Sequence, residues 1–89
     1  MITPQFTYNA EANAYLSEPF TIEHEIIVSI ELASRAPVVT LKKEDDGEYA
    51  NYGETPQRSN RYKINITPKD VQTLMLASPV EVTKCFILD

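Results

Sequence analysis

Three short groups of residues have the chemical types that catalysis or metal binding requires. They are Glu23-His24-Glu25, the acidic run Glu44-Asp45-Asp46-Gly47-Glu48, and the one thiol of the chain, Cys85. Metal sites need several ligands that converge on one point. On a strand, neighbouring side chains point to opposite faces, so Glu23 and Glu25 diverge from His24. We therefore expect no metal here, and we expect His24 to be a partly buried, hydrogen-bonded residue at a strand irregularity.

The acidic run and the thiol predict structure rather than chemistry. The run lacks the spacing of an EF-hand loop, and Asp46-Gly47 favours a tight turn, so we interpret it as a solvated hairpin tip. Cys85 lies among apolar residues, which predicts a buried structural thiol rather than a nucleophile served by His24. With two glycines in the chain, no glycine-rich phosphate loop can form. We expect a non-enzymatic protein without a cofactor.

A cationic segment gives the sequence its one feature typical of nucleic-acid binding. Tyr62 is flanked by Arg61 and Lys63, with Arg58 just upstream, and such an aromatic residue can stack on a base. Tyr62 lies on the same face of the predicted strand as Ile64, however, which predicts that its ring packs inward. The sequence pI is about 4.7, and phosphate binding needs clustered cations. We expect a protein partner and no nucleic acid.

The net charge of −5 is confined to the first third of the sequence. Residues 1–34 contain five glutamates and no Lys or Arg, whereas residues 35–89 contain eight acidic and eight basic side chains. Three of the glutamates, Glu23, Glu25 and Glu31, share one parity of an alternating segment. We interpret them as an acidic strand face, either simply solvated or in contact with a basic surface on a partner or on another copy of the chain.

That alternating segment, residues 20–32, is the clearest secondary-structure pattern. Six of its seven even positions are apolar, against one of its six odd positions, which indicates a strand with one buried face. As one straight strand it would extend about 43 Å, so we expect a bend or bulge near His24. Pro19 and Pro37 end the segment on either side.

Further strands follow from the same alternation and from turn residues. We expect two short strands within residues 6–16, joined by a turn or loosely paired stretch at residues 9–13, with a short helix at residues 9–16 as the alternative. Further strands are expected at 38–43, 49–52, 61–67 and 80–88. In the last strand, one parity contains Val80, Val82, Phe86 and Leu88, and Cys85 and Ile87 make the other parity apolar as well. We expect a strand that is apolar on both faces and that is central or covered at its end by a partner. Arg61 and Lys63 make the 61–67 strand basic on its outer face, where it could complement the acidic strand.

One helix is predicted near residues 68–76. Thr67 is a suitable N-cap and Pro68 a suitable first helical residue, and Val71, Leu74 and Met75 are spaced i, i+3 and i+4. The expected fold is therefore mainly β: a small β-sandwich or barrel of six to seven short antiparallel strands with this one helix. Residues 1–89 suffice for a single domain.

Size, charge and the strand pattern together favour a protein that works with a partner. One cysteine allows no internal disulfide, so a small core must supply the stability. We expect a protein–protein interaction or structural assembly module, for example a small component of a virion or another multi-subunit complex. Its expected contact residues are Glu23, Glu25, Glu31, Arg58, Arg61 and Lys63, together with an open sheet edge. A free regulatory or inhibitor protein is the alternative, and an enzyme or ligand carrier with a hidden site is the third.

The sequence also predicts where the protein resides. Its first residues lack the basic and apolar regions of a signal peptide, and no run approaches the ~18 apolar residues that span a bilayer. We therefore expect a cytoplasmic protein, with incorporation into a virion as one variant, and no membrane partner.

Overall fold

The computed structural model describes residues 2–88, and it contains nine strands and no helix within that range. The prediction of a mainly β protein is confirmed, while the expected number of six to seven strands is too low. In chain order the strands are β1 (Phe6–Asn9), β2 (Ala14–Ser17), β3 (Phe20–Ile22), β4 (Ile26–Leu32), β5 (Val39–Lys43), β6 (Tyr49–Glu54), β7 (Arg61–Ile66), β8 (Gln72–Ser78) and β9 (Val82–Leu88).

The strands form two antiparallel sheets. The larger sheet has six strands, in the order β1-β2-β8-β5-β6, and β3 pairs with β8 beside β2. The smaller sheet has three strands in the order β7-β4-β9. Two tight connections build the larger sheet: a β1–β2 turn, in which Asn13 has a φ of 52°, and the predicted β5–β6 hairpin, in which Gly47 has a φ of 88°. Both residue types accept this left-handed conformation with little strain.

The alternating segment 20–32 is interrupted at residues 23–25, where the chain passes from one sheet to the other. β3 pairs with β8 in the larger sheet, and β4 pairs with β7 and β9 in the smaller one. The predicted irregularity near His24 is confirmed. His24 is exposed rather than partly buried as expected.

The buried apolar residues of the two sheets form one cluster. Even positions of β4 supply Val28 and Ile30, and β8 supplies Leu74 and Leu76, all of them at most 2% exposed. The other members are Phe20, Ile22, Ile26, Leu32, Ala36, Val38, Ile66, Cys85 and Ile87. As predicted, the inward parity of β7 joins this core, with Ile66 buried and Tyr62 and Ile64 packed against it.

The predicted helix near residues 68–76 is wrong. Residues 67–71 are irregular, and the segment that follows is the strand β8, which pairs with β2, β3 and β5. Gln72, Leu74, Leu76 and Ser78 are buried, and the residues between them are half-buried. This period of two requires a strand, and long-range pairing has overridden the helical propensity of Leu, Met and Ala. No helix in residues 2–88 is long and apolar enough to cross a membrane.

A β-bulge in β9 determines which side chains of its second half face the core. Glu31 pairs with Lys84, but the next residue of β4, Leu32, pairs with Val82, so Thr83 is an extra residue. An extra residue moves the side chains beyond it to the opposite face. Val82 therefore packs on the core. Beyond the bulge Cys85 and Ile87 are buried, as expected for Cys85, whereas Phe86 is half-buried and Leu88 is exposed.

Candidate protein-binding surface

The outward-facing side chains of the three-stranded sheet form three rows. Each row takes one residue from β7, one from β4 and one from β9. The rows are Arg61–Glu31–Lys84, Lys63–Ser29–Phe86 and Asn65–Ile27–Leu88, and these nine residues are called the outer face below. One end of the outer face is charged, and its other end is apolar.

At the charged end, Glu31 is held between cations. The Arg61 Nε donates to Glu31 Oε1 at 2.9 Å, and Lys84 lies opposite Glu31 on the other side. The Thr83 hydroxyl lies 2.8 Å from Glu31 Oε2 and 3.1 Å from the Glu31 carbonyl oxygen. The Thr83 hydrogen bond, followed by the charges of Arg61 and Lys84, holds the pKa of Glu31 below its ordinary value, although desolvation opposes them.

The single carboxylate, Glu31, offsets only part of the positive charge on the outer face. Its three cations, Arg61, Lys63 and Lys84, outnumber the single carboxylate. The Arg61 side chain is 77% exposed, compared with 25% for Glu31. The cations are therefore the more exposed charges of the outer face, on which Glu31 is the single carboxylate.

The apolar end of the outer face is unusually open for large side chains. Ile27 is 36% exposed and Leu88 is 42% exposed, and Phe86 in the neighbouring row is half-buried. A shallow depression of about 370 Å³ runs along the first two rows, lined by Phe86, Lys63, Lys84 and Glu31 among others. Exposed apolar side chains that form a contiguous patch rimmed by polar residues are typical of interaction sites.

The structure separates the residues that the sequence had grouped as an acidic face. Glu23 lies in the bend at residues 23–25, and Glu25 lies just before β4, where its Oε2 accepts a hydrogen bond from the Thr67 hydroxyl at 3.0 Å. Six residues of strand separate Glu25 from Glu31, which is about 20 Å. Arg61 and Lys63 are brought together with Glu31 on the outer face. Arg58 is exposed in the loop before β7 and does not line the depression.

The two edges of the three-stranded sheet differ. Along β9, the Ile2 N–H donates to the Ile87 carbonyl at 3.0 Å and the Ile87 N–H donates to the Ile2 carbonyl at 2.7 Å, so the N-terminal segment covers that edge at Ile87. Along β7, no strand within residues 2–88 pairs on the side away from β4. The outer face is therefore continuous with an open edge at β7.

The larger sheet also has an outward face, and it is apolar and uncharged at its centre. Leu16 and Val39 flank Ala77, and Leu41 lies opposite Met75. All five side chains are half-buried. This second surface lacks the exposed cations of the outer face and does not end in a regular open edge, because the register shifts between β5 and β6.

The remaining chemical candidates have structural roles or no convergent partners. Cys85 is 4% exposed, which confirms the predicted buried thiol, and its burial raises its pKa to about 11. Within residues 2–88, no group of three or more His, Cys, Asp and Glu side chains is arranged to hold a metal ion. Asp46 serves the predicted hairpin tip, because its Oδ1 accepts from the Glu48 N–H at 3.0 Å.

Comparison with known proteins adds no further assignment: no family model, curated protein or solved structure matches this chain.

Sequence reasoning found part of this surface and missed part of it. It identified Glu31, Arg61 and Lys63 and the complementarity of their strands. It missed Lys84, Phe86 and Leu88, because the bulge at Thr83 reverses the parity of β9. The signal that could have revealed the bulge is the double apolar character of residues 85–88, in which each parity contains two apolar residues.

Proposed function

We propose that this chain is a non-enzymatic protein–protein interaction module, a component of a multi-subunit assembly that contacts its partner through the outer face of the three-stranded sheet. The observation that carries the proposal is the combination of Arg61, Lys63 and Lys84 with the exposed apolar side chains Ile27 and Leu88 on one sheet face. A cytoplasmic or virion-incorporated assembly is part of the same proposal.

The two ends of the outer face are expected to contribute to binding in different ways. Covering Ile27, Phe86 and Leu88 removes apolar surface from water, which stabilises a complex by about 25 cal/mol per Å². The cations contribute steering and selectivity, because a partner with carboxylates is attracted and a basic partner is repelled. The expected partner thus has an apolar patch bordered by acidic groups.

The size of the outer face sets a further requirement. Three rows about 7 Å apart across three strands about 4.8 Å apart make a patch roughly 14 Å by 10 Å. A stable complex usually buries about 800 Å² on each partner, which is more than this patch offers. The described chain has ample further surface, because it exposes 5675 Å² in all. The outer face is therefore the anchor of a larger contact, and the open edge at β7 is its nearest extension.

The finer fold belongs to the same proposal. We take the two sheets to be packed face to face as a β-sandwich, an arrangement supported by the single buried cluster to which both contribute. In a sandwich each sheet keeps one outward face, so the molecule offers two candidate surfaces, of which the outer face is the charged one.

The test places a photo-reactive benzoylphenylalanine at position 86, and in a matched variant at position 75 on the apolar face of the larger sheet. Irradiation in the native host should give one discrete adduct from position 86 and none from position 75, and mass spectrometry identifies the partner. Adducts from position 75 alone would show that the partner contacts the larger sheet, and our proposal for the outer face would be wrong. No adduct from either position would refute a protein-binding role for both faces.

Charge variants make the same experiment specific. The double variant Lys63→Gln/Lys84→Gln should lose most of the adduct and much of its sensitivity to salt. Its control, Glu23→Gln/Glu25→Gln, removes as many charges from the crossing between the sheets and should leave the adduct unchanged. Loss of the adduct in Glu23→Gln/Glu25→Gln and its retention in Lys63→Gln/Lys84→Gln would instead identify the glutamates as the contact residues.

The alternative of a free regulatory protein is distinguished by stoichiometry. An assembly component is expected to be found in a complex with several copies or several partners, whereas an inhibitor forms a one-to-one complex with one target. Light scattering of the purified adduct separates the two by mass.

A further inference from the structure

We propose that the open edge of β7 accepts an extended acidic segment of another protein as a fourth strand of the three-stranded sheet. This inference rests on the proposed function and specifies the chemistry and geometry of the partner. It follows from the peptide groups of β7, from its side-chain charges and from the way the chain closes its other edges.

The register of β7 fixes which peptide groups point outward. The Leu32 N–H donates to the Asn60 carbonyl at 2.7 Å, so even-numbered residues of this segment form the hydrogen-bonded pairs with β4. The peptide groups of Arg61, Lys63 and Asn65 therefore point away from the sheet. The Arg61 N–H is met by the Ser59 hydroxyl at 3.2 Å, and the structure gives those of Lys63 and Asn65 no partner within residues 2–88.

The β7 edge is regular, which the other free edges are not. Its six residues pair with β4 without a register shift and contain no proline or glycine. β1 has four residues, and β6 is interrupted by a shift opposite Thr40 and Leu41. Short or bulged edges resist strand addition, whereas a regular edge permits it. On β9 the N-terminal segment already makes the contact that β7 lacks.

The side chains of β7 select the occupant. Arg61 and Lys63 are exposed on the outer face, and Tyr62 and Ile64 between them are half-buried towards the core. A strand added beside β7 would place alternate residues next to those cations and the residues between them next to the apolar pair. The matching segment therefore alternates acidic and apolar side chains.

A second copy of this chain does not fit the β7 edge. If two β7 strands paired around Lys63, lysine would lie directly opposite lysine, which is unfavourable. The acidic run of the chain is also unsuitable, because it is closed into a turn: the Gly47 N–H donates to the Glu44 carbonyl at 3.0 Å and the Glu44 N–H to the Glu48 carbonyl at 2.7 Å. The occupant is therefore another protein.

The experiment uses a blocked pentapeptide, Glu-Val-Glu-Val-Glu, titrated to millimolar concentration into the isotope-labelled chain and followed by amide chemical shifts. Saturable shifts are expected at the amides of Lys63 and Asn65. The matched peptide Lys-Val-Lys-Val-Lys should produce none. Equal shifts with both peptides, no shifts with either, or shifts confined to Met75 and its neighbours would overturn the proposal.

Three variants at one position separate the contributions of the peptide group and the charge. Lys63→Gln keeps the outward N–H and should weaken the acidic peptide by up to about fivefold, the value of one exposed ion pair. Lys63→Pro also removes that N–H and should weaken it by about tenfold or more. Lys63→Glu should reverse the preference towards the basic peptide, which keeps the proposal testable if the proline variant does not fold.

The outcomes distinguish the two proposals. If position 86 forms its adduct and Lys63→Pro leaves that adduct intact, the outer face binds a partner without strand addition, and the β7 proposal is wrong. If position 86 forms no adduct but the acidic peptide still binds β7, strand addition stands alone. If neither occurs, both proposals fall.

Discussion

The burial of Cys85 could be predicted from its neighbours in the sequence. The run of apolar side chains around it predicted burial, and the thiol is 4% exposed, with a pKa raised to about 11 by desolvation. The thiolate is the reactive form. Iodoacetamide at pH 8 is therefore expected to leave the native thiol almost unmodified and to label the unfolded chain readily, and equal labelling rates would contradict the burial.

The same shift gives a pH dependence of stability. The pKa of Cys85 is higher in the folded chain than its ordinary value of 9.0, so folding favours the protonated thiol. The associated stability is complete below pH 9.0 and is lost as the pH rises towards about 11. Urea unfolding between these values should show a decline that is smaller in Cys85→Ala.

Thr83 is expected to control the ionisation of Glu31. Its hydroxyl is the largest cause of the lowered pKa of that carboxylate, so Thr83→Val should raise the Glu31 pKa towards 4.5. Carbon-13 titration of the Glu31 carboxyl measures this. Thr73→Val, which removes a hydroxyl 3.2 Å from that of Thr21 on the other sheet, is the control and should change nothing.

The sign of the acid dependence follows from the direction of that shift. A folded-state pKa below the ordinary value means that ionised Glu31 stabilises the fold above pH 4.5, and that this contribution disappears as the pH falls through the folded value. Thr83→Val should flatten the decline. An unchanged acid profile and an unchanged Glu31 pKa would show that Thr83 serves the bulge alone.

At the scale of strands, Ser17 replaces a missing ladder hydrogen bond. β2 pairs with β8 only through Tyr15 and Leu16, and the Ser17 hydroxyl oxygen accepts from the buried Leu76 N–H at 2.9 Å before β3 takes over as the neighbour of β8. Ser17→Ala leaves that N–H without an acceptor.

Urea denaturation of Ser17→Ala should show a loss of about 1–3 kcal/mol of unfolding free energy. The slope of that free energy against urea concentration should remain unchanged. Ser34→Ala, at an exposed position between strands, is the matched control and should remain within about 0.5 kcal/mol of the parent. Similar values for the two variants would mean that the Leu76 N–H finds another acceptor.

Strands and turns that depend on local pattern were predictable, whereas those that depend on long-range pairing were not. The hairpin at Asp46-Gly47 and the break near His24 follow from turn residues and from length. β8 was mistaken for a helix because Val71, Leu74 and Met75 fit a helical period, while its central place between β2, β3 and β5 is set by residues distant in sequence. The exposure of Val71, at 63%, is consistent with a loop and not with the buried face of a helix.

The bulge in β9 belongs to the same class of error. Nothing local to Thr83 requires an extra residue, because the bulge is defined by the register with β4. Its effect is large, since it turns Phe86 and Leu88 outward and so creates the apolar end of the outer face. The outer face could therefore be predicted from sequence only on the strands β4 and β7.

For the whole molecule, the structure changes the meaning of the charge distribution. The net charge of −5 lies in residues 1–34, yet these glutamates are dispersed among a turn, a loop, the sheet crossing and β4. Three of the eight cations of the neutral remainder, Arg61, Lys63 and Lys84, lie together on the outer face of the three-stranded sheet instead. An acidic sequence thus presents a basic surface, because the sheet combines strands that are far apart along the chain.

The two edges of the three-stranded sheet differ in their peptide hydrogen bonds: Ile2 pairs with Ile87 on the β9 edge, whereas no strand within residues 2–88 pairs with the outer side of β7. Amide hydrogen exchange of the free protein measures this residue by residue. The account predicts slow exchange at Ile87, Tyr62 and Ile64 and fast exchange at Lys63 and Asn65. Protection of Lys63 and Asn65 equal to that of Ile64 in the free monomer would contradict it.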